Sequence, residues 1–272
     1  MTTAGHLVPQ AGPMLYDGIM TELVGILNVT PDSFSDGGLY METEKALQKT
    51  AQLFKEGAAV VDVGAESTRP GATVLTTEAE QQRLLQILQQ LIEQYPGKIS
   101  VDTYHPETAR RALELGDVII NDVTGMHDSA MLELVSARRA RCVVSHLPAA
   151  AAGDPQAAHA GPLVDDVRQV REELLAKAAE LQRQGLPRDR IILDPGIGFG
   201  KTEHLNKELL TFAREVPEYS VMIGYSRKRF LGARRLEPGP NLEAGRIALE
   251  AGAAYLRVHD VAGHSRLLRR PG

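Results

Sequence analysis

Residues 165–194 read DDVRQVREELLAKAAELQRQGLPRDRIILD, and they contain the structural unit that the rest of the chain repeats. The first part places apolar side chains at three- and four-residue spacing, which is typical of a helix that packs on one face. Gly185 follows, at a position where helices often end in a left-handed residue. The apolar run RIILD (190–194) then predicts a buried strand, and it ends in the carboxylate of Asp194.

The same alternation of apolar runs and amphipathic segments extends along the chain. Predicted strands occupy residues 22–29, 59–64, 98–102, 117–122, 141–146, 190–194, 220–224 and 254–259. Most of these runs are continuously apolar, as expected of parallel strands covered by helices. Left-handed glycine caps are expected at the helix ends, at Gly57, Gly97, Gly116, Gly185 and Gly252. Eight alternating units within about 250 residues predict an α/β fold, the (β/α)₈ TIM barrel.

A doubly wound open sheet is the alternative fold, and the even spacing of the units disfavours it. No segment rich in Pro, Ser and Gly divides the chain, so we interpret residues 1–272 as a single domain with residues 1–20 as an N-terminal extension. The alanine-rich stretch 147–161 indicates a loop.

Composition narrows the functional classes. A net charge of −5 argues against nucleic-acid binding, although local Arg and Lys clusters can still bind a small anion. No window approaches the roughly 18 apolar residues of a membrane span, and the N-terminus lacks the features of a signal peptide. The lone cysteine, Cys142, has no internal disulfide partner and is expected to be a buried thiol. We therefore predict a cytoplasmic protein without a membrane or nucleic-acid partner.

The segment IILDPGIGFGKT (191–202) ends in Gly-Lys-Thr, as phosphate-binding loops do. A Walker A loop needs two glycines separated by four residues before the lysine, and the position that pairs with Gly200 is Pro195. The dinucleotide fingerprint also fails, because the glycines of this turn alternate with single residues. Asp194 would in addition repel a phosphate. The segment indicates a ligand that interacts with a carboxylate.

Polar side chains follow every predicted strand, and in a barrel of this type all the carboxyl ends meet at one opening. In chain order they are Asn28, Thr68 with Arg69, Asp102, Asn121, His146, Asp194, Lys228 with Arg229, and Arg257 with His259. A purely structural barrel has no need of this arrangement.

These side chains divide by charge. Five of them can surround a phosphate or pyrophosphate: Asn28, Thr68, Arg69, Arg257 and His259. The helix after the seventh strand is expected to begin near Lys228 and Arg229 and to add its backbone N–H groups to their charge. Two carboxylates and an amide suit a flat heterocycle that carries N–H donors: Asp102, Asp194 and Asn121. The predicted ligand is a donor-rich ring at one end and an anion at the other.

Some of these groups also have a structural explanation. An Asp or Asn after a strand often caps a helix or forms an Asx turn, which would account for Asp122, Asp260 and Asn121 as well as ligand binding would. A lone histidine is more often structural than catalytic, so His146 and His264 are the weakest candidates.

Seven segments at these strand ends match one enzyme family in the same order. They are GILNVTPDSFSDGG (25–38), DVGAESTRPGA (62–72), ISVDTY (99–104), INDVTG (120–125), LDPGIGFGKT (193–202), GYSRKRFLG (224–232) and RVHDV (257–261). Through them the chain resembles the dihydropteroate synthases over nearly its whole length. The resemblance implies a (β/α)₈ fold, Mg²⁺, a homodimer, and condensation of 4-aminobenzoate with 6-hydroxymethyl-7,8-dihydropterin diphosphate, which releases pyrophosphate.

The resemblance also implies roles for individual residues. Asn28 would help to hold Mg²⁺ and the diphosphate, which would also contact Thr68, Arg257 and His259. The pterin would be bound by Asp102, Asn121, Asp194 and Lys228, with Phe199 lining its slot. The 4-aminobenzoate pocket would be completed by Asp32, Phe34, Ser35 and Pro70, with Arg229 where its carboxylate docks. Catalytic roles would fall on Asp102, Lys228 and Asp32.

Two positions depart from the family. Ala65 replaces a common second glycine, and Ser145-His146-Leu147 replaces a frequent Met-His-Met, which leaves the contacts from that part of the opening undecided. One alternative is a pterin-binding methyltransferase domain, which shares the barrel and needs no diphosphate site. Another is a non-catalytic pterin-binding protein. The segments TPDSFSDGG, Ser-Thr-Arg-Pro and Ser-Arg-Lys favour the synthase.

Overall fold

The computed structural model describes residues 15–16, 19–29, 39–66, 75–151 and 153–269 of the chain. A short antiparallel pair, β1 (Leu15–Tyr16) and β2 (Ile19–Met20), precedes the main sheet. The strands of that sheet are β3 (Glu22–Asn28), β4 (Val60–Gly64), β5 (Ile99–Asp102), β6 (Ile119–Asp122), β7 (Arg141–Ser145), β8 (Ile191–Asp194), β9 (Ser220–Ile223) and β10 (Tyr255–Val258).

These eight strands are parallel, pair in chain order, and close into a barrel through the pairing of β10 with β3. The predicted (β/α)₈ fold is therefore confirmed. Each strand lies within the predicted run and is up to two residues shorter, as at Ile119–Asp122.

The helices are α1 (Leu39–Glu56), α2 (Thr77–Gln94), α3 (Pro106–Leu115), α4 (Ser129–Ala137), α5 (Val167–Arg183), α6 (Glu203–Glu208), α7 (Pro238–Glu250) and α8 (Val261–Leu268). Several begin where a side chain accepts a free backbone N–H group, as Thr76 does for α2 and Asp166 for α5. None of the helices in the described ranges has the length and apolar character needed to cross a bilayer.

Two hydrophobic clusters stabilise the barrel. The larger one lies between the strands and the helices and extends along the chain from Leu23 to Val261. Cys142 belongs to it, and burial raises the pKa of the Cys142 thiol to about 12, so the thiol is unreactive. The smaller cluster is formed by side chains of six different strands, Val24, Val60, Ile119, Val143, Ile192 and Met222. Contact among so many strands is possible only inside the barrel.

Two local expectations were wrong. Gly116 is not a left-handed cap, since its φ of 162° is extended backbone. A Cβ at Gly116 would lie 2.6 Å from Ile92 of α2, so close packing explains the glycine. In addition, no α-helix begins at Lys228 and Arg229. Only a short 3₁₀ turn, Arg229–Leu231, follows there, and α7 begins at Pro238, so helical N–H groups do not add to the charge of these side chains.

Candidate active site

The barrel interior changes from apolar to polar near the carboxyl ends of the strands. Alternate residues of a strand point to the same side, so the residues two positions after the interior cluster also face inward. Asp62 follows Val60 in this way, Asn121 follows Ile119, and Asp194 follows Ile192. The polar groups therefore form a layer directly above an apolar one, toward the end of the barrel where (β/α)₈ enzymes carry out chemistry.

Arg257 joins two carboxylates within this layer. Its Nε donates to Asp62 Oδ2 at 2.6 Å, and its Nη2 donates to Asp102 Oδ2 at 2.6 Å. Asn121 Nδ2 donates to the same oxygen of Asp62 at 3.0 Å. Burial alone would lower the pKa of Arg257, but Asp62 and Asp102 outweigh it and hold that pKa above its ordinary value. Arg257 is therefore a permanent cation at the centre of a connected group.

Asp102 is the most exposed carboxylate of this group, with a quarter (25%) of its side chain accessible. Burial raises the pKa of Asp102, the guanidinium of Arg257 opposes the change, and the carboxylates of Asp62 and Glu80 add to it. Asp102 consequently binds a proton more readily than an ordinary aspartate and can accept a hydrogen bond from a ligand or share a proton with it.

Asp194 and Lys228 form a second group around the glycine-rich turn. Asp194 Oδ1 accepts a hydrogen bond from Gly196 N at 2.7 Å. Lys228 Nζ donates to the carbonyl of Ile197 and lies 5.0 Å from the centre of the Phe199 ring. Burial lowers the pKa of Lys228 to about 8 against the attraction of Asp194, and burial raises the pKa of Asp194 against the attraction of Lys228.

The two groups border the same space. A Cβ added at Gly224 would lie 3.4 Å from Asp194 Oδ2 and 4.0 Å from the side chain of Arg257. The glycine directly after β9 thus leaves room between a carboxylate and a guanidinium. Asp102 and Lys228 are also near enough for the carboxylate to raise the pKa of the lysine.

Lys201, the lysine of the Gly-Lys-Thr sequence, stabilises its own loop. Its Nζ donates to the carbonyls of His146 at 3.2 Å, Gly196 at 3.0 Å and Phe199 at 3.0 Å, which uses all three N–H groups of the protonated form, although burial lowers the pKa of Lys201 to about 7. Gly196 has a φ of 64°, and a Cβ there would lie 2.1 Å from the carbonyl oxygen of His146. The turn therefore needs glycine at this position, and its lysine is not a phosphate ligand.

The residues predicted to contact an anion are only partly described. His259 Nδ1 lies 2.9 Å from Ser226 Oγ, which fixes the orientation of the imidazole ring. Asn28 is exposed at the end of β3, and Arg229 is exposed in the 3₁₀ turn. Six predicted residues lie outside the described ranges: Asp32, Phe34, Ser35, Thr68, Arg69 and Pro70. Two described residues that flank positions 67–74 are hydrogen-bonded, since the carboxylate of Glu66 accepts from Leu75 N at 3.3 Å.

Four polar residues near the strand ends have structural partners. Asp122 accepts from the backbone N–H groups of Thr124 at 2.7 Å and Met126 at 3.0 Å. Asp260 caps α8 through Gly263 N. His146 and His264 are buried, and His146 Nε2 lies 3.0 Å from Glu173 Oε2.

Sequence reasoning missed two of the residues that organise the site. Asp62 lies within β4 and not at its end, so a search of strand ends passes over it. A charged residue within the apolar run AVVDVG was the available signal. Ser226 was noted only as part of a basic segment, and nothing in the sequence pairs it with His259.

The described residues include few side chains that could serve as metal ligands at the site. No group of three or more His, Cys, Asp or Glu side chains in these ranges could hold a metal ion. The candidate for Mg²⁺ remains the exposed amide of Asn28.

The fold and the site define the chain as a barrel enzyme of the pterin-binding class, because the sequence profile of that family, described as pterin binding enzyme, matches residues 24–259. The chain is 35% identical over 248 residues to dihydropteroate synthase from Escherichia coli K12, covering 88% of this chain and 86% of that protein. Because of these two matches, the chain belongs to the dihydropteroate synthase family.

Two solved structures resemble it closely. Xanthomonas albilineans dihydropteroate synthase with 4-aminobenzoic acid has a TM-score of 0.80 and 36% identity, covering 91% of this chain and 90% of that one. The enzyme from Anaplasma phagocytophilum with bound 6-hydroxymethylpterin-monophosphate has a TM-score of 0.78 and 32% identity, covering 92% and 97%.

Proposed function

We propose that the carboxyl end of the barrel binds a dihydropterin between the Asp102–Asn121 and Asp194–Lys228 pairs. The chain condenses 4-aminobenzoate with 6-hydroxymethyl-7,8-dihydropterin diphosphate, which releases pyrophosphate and forms 7,8-dihydropteroate. The observation that carries this conclusion is the inward-facing set of acceptors beside a half-buried lysine. A pterin presents amino and ring N–H donors next to a carbonyl, and these complement carboxylates and an ammonium group.

The residues of the site suit a reaction in which the enzyme assists the departure of diphosphate more than the attack by the amine. An aryl amine is a weak nucleophile, so catalysis gains most from stabilising the leaving anion and the developing cation. Arg257 and His259 supply a cation and an N–H donor for the anion, while the carboxylates of Asp102 and Asp194 favour positive charge on the pterin methylene. After attack the aniline nitrogen is acidic, so no strong general base is required.

Mg²⁺ fits the diphosphate end of this site. Mg²⁺ keeps several waters and takes one or two protein oxygens together with substrate phosphates. An exposed amide at the end of β3, Asn28, offers one such oxygen beside the opening. When bound, Mg²⁺ would neutralise charge on the diphosphate.

The remaining parts of the proposal rest on the family resemblance. Thr68 would contact the diphosphate, Arg69 joins it on the ground of its charge, and Asp32 would join Asp102 and Lys228 in catalysis. Phe34, Ser35 and Pro70 would line the 4-aminobenzoate pocket, with Arg229 near its carboxylate. We also propose a homodimer in the cytoplasm, which light scattering and cell fractionation would test.

The decisive experiment measures pyrophosphate release from the dihydropterin diphosphate with Mg²⁺, with and without 4-aminobenzoate. Release that depends on 4-aminobenzoate and yields dihydropteroate is expected, and chelation of Mg²⁺ should abolish it. Asp102→Asn should lower turnover about 100-fold, whereas Asp189→Asn, exposed before β8 at the opposite end of the barrel, should not. Pterin binding without release would favour the methyltransferase or the binding protein, and unchanged turnover in Asp102→Asn would contradict the electrostatic mechanism.

A further inference from the structure

Asp62 lies beneath the ligand-facing groups and contacts two of them. It is 1% exposed, in the middle of β4. Its Oδ2 accepts from Asn121 Nδ2 at 3.0 Å and from Arg257 Nε at 2.6 Å. The other oxygen, Oδ1, is buried and has no hydrogen-bond partner in the part of the chain that the structure describes.

A buried carboxylate with one unsatisfied oxygen contributes little to the stability of the barrel. Buried ion pairs gain little net stability because desolvation offsets their attraction. An unsatisfied buried oxygen adds a further cost. The benefit of Asp62 must therefore lie in the arrangement that it imposes on its neighbours.

The first consequence concerns the amide of Asn121. An ionised carboxylate can only accept hydrogen bonds, so Asn121 has to turn its NH₂ group toward Asp62. The amide oxygen then is the atom of Asn121 that can face a ligand. This orientation follows from the chemistry of the pair.

The second consequence concerns Arg257. Asp62 binds its Nε while Asp102 binds its Nη2, so the planar guanidinium is held at two points. Asp102, the more exposed partner, also belongs to the proposed pterin site. Asp62 thus constrains a permanent cation without being in the ligand space itself.

We propose that Asp62 is a positioning residue that makes the site selective for a ring edge with N–H donors, by holding the Asn121 amide as an acceptor and Arg257 in place. The inference rests on the proposed function, since it concerns recognition of the pterin ring. Asp62 acts through its two neighbours and does not touch the substrate.

The test compares binding of 6-hydroxymethylpterin with binding of its 2-deamino analogue, in which hydrogen replaces the 2-amino donor and the ring is otherwise unchanged. Calorimetry on the wild type should show a clear preference for the pterin. In Asp62→Asn the new amide can donate or accept, so Asn121 can reverse. We expect pterin affinity to fall about 10- to 100-fold and the preference over the 2-deamino analogue to fall at least about tenfold. The KM for 4-aminobenzoate at saturating pterin should stay within about twofold.

Asp122→Asn is the matched control, because Asp122 is also fully buried, at the end of β6, and its hydrogen bonds among the described residues go to its own loop, at Thr124 and Met126. This control should lose stability and keep the preference for the pterin. An unchanged preference in Asp62→Asn, or equal changes in the KM of both substrates, would overturn the inference.

A second variant decides the matter if Asp62→Asn does not fold. Combining Asp62→Asn with Asn121→Asp reverses the hydrogen bond and keeps an acceptor toward the opening, so folding and the preference for the pterin should return. The single variant Asn121→Asp should show neither stable folding nor this preference. A folded double variant without the preference would refute the idea. A wild type that binds neither ring would instead refute the proposed function.

Discussion

At the scale of single residues, Lys228 has an unusual charge state for a lysine. Its burial against Phe199 lowers its pKa to about 8, although Asp194 and Asp102 attract its positive charge. The ammonium form therefore predominates below pH 8, and the amine predominates above it. A pterin carbonyl is bound more strongly by the charged form.

The pH dependence of pterin use should report this residue. In the wild type, kcat/KM for the dihydropterin diphosphate should fall as pH rises through about 8, because Lys228 loses its proton there. Lys228→Arg should act more slowly but remove this fall, since arginine stays charged over the whole range. Steady-state rates between pH 7 and 9.5, at saturating 4-aminobenzoate, provide the measurement. A variant with the same alkaline decline would assign it to another group.

At the scale of elements, the turn between β8 and α6 depends on Lys201. The carbonyls of Gly196 and Phe199 in this turn, and that of His146 after β7, all accept from Lys201 Nζ. Asn206 adds support, because its Oδ1 accepts from Gly198 N and its Nδ2 donates to Lys201 O at 3.2 Å. This network holds the residues that follow Asp194, and hence the wall that Phe199 and Lys228 form.

Replacement of Lys201 should damage both stability and binding. Lys201→Met leaves buried carbonyls without a donor, so we expect a loss of about 2–4 kcal/mol in the free energy of unfolding, together with weaker pterin binding. Urea unfolding and calorimetry measure these quantities. Lys207→Met is the control, because Lys207 is an exposed lysine on α6 that pairs with Glu203 of the same helix, and this variant should change stability by less than about 0.5 kcal/mol. Equal unfolding midpoints for the two variants would contradict this role.

At the scale of the whole molecule, closure of the barrel brings together site residues from segments that are far apart in the sequence. Arg257 on the last strand reaches Asp62 on the second barrel strand, and one hydrophobic cluster surrounds all eight strands. A ligand that binds this site restrains several strands together. We therefore expect the described barrel to unfold as one cooperative unit.

Scanning calorimetry tests this expectation. A single transition should be seen, and 6-hydroxymethylpterin at about 100 times its Kd should add about 2.7 kcal/mol, which raises Tm by roughly 5–10 °C. Bound pterin should raise the midpoint temperature of the entire unfolding transition. Two transitions, of which only one responds to the ligand, would show that part of the chain unfolds independently.

The sequence alone determined the order and type of the elements and most residues around the opening. Buried parallel strands are apolar throughout, so a polar side chain at their carboxyl end, such as Asp102, Asn121 or Asp194, is conspicuous and its location in a barrel follows from the topology. Only the tertiary structure decided which of these groups touch. Hydrogen bonds between β4, β6 and β10 depend on the stagger of strands around the closed barrel, and no local pattern records that stagger. For this reason Asp62 became visible as a partner of Asn121 and Arg257 only in three dimensions.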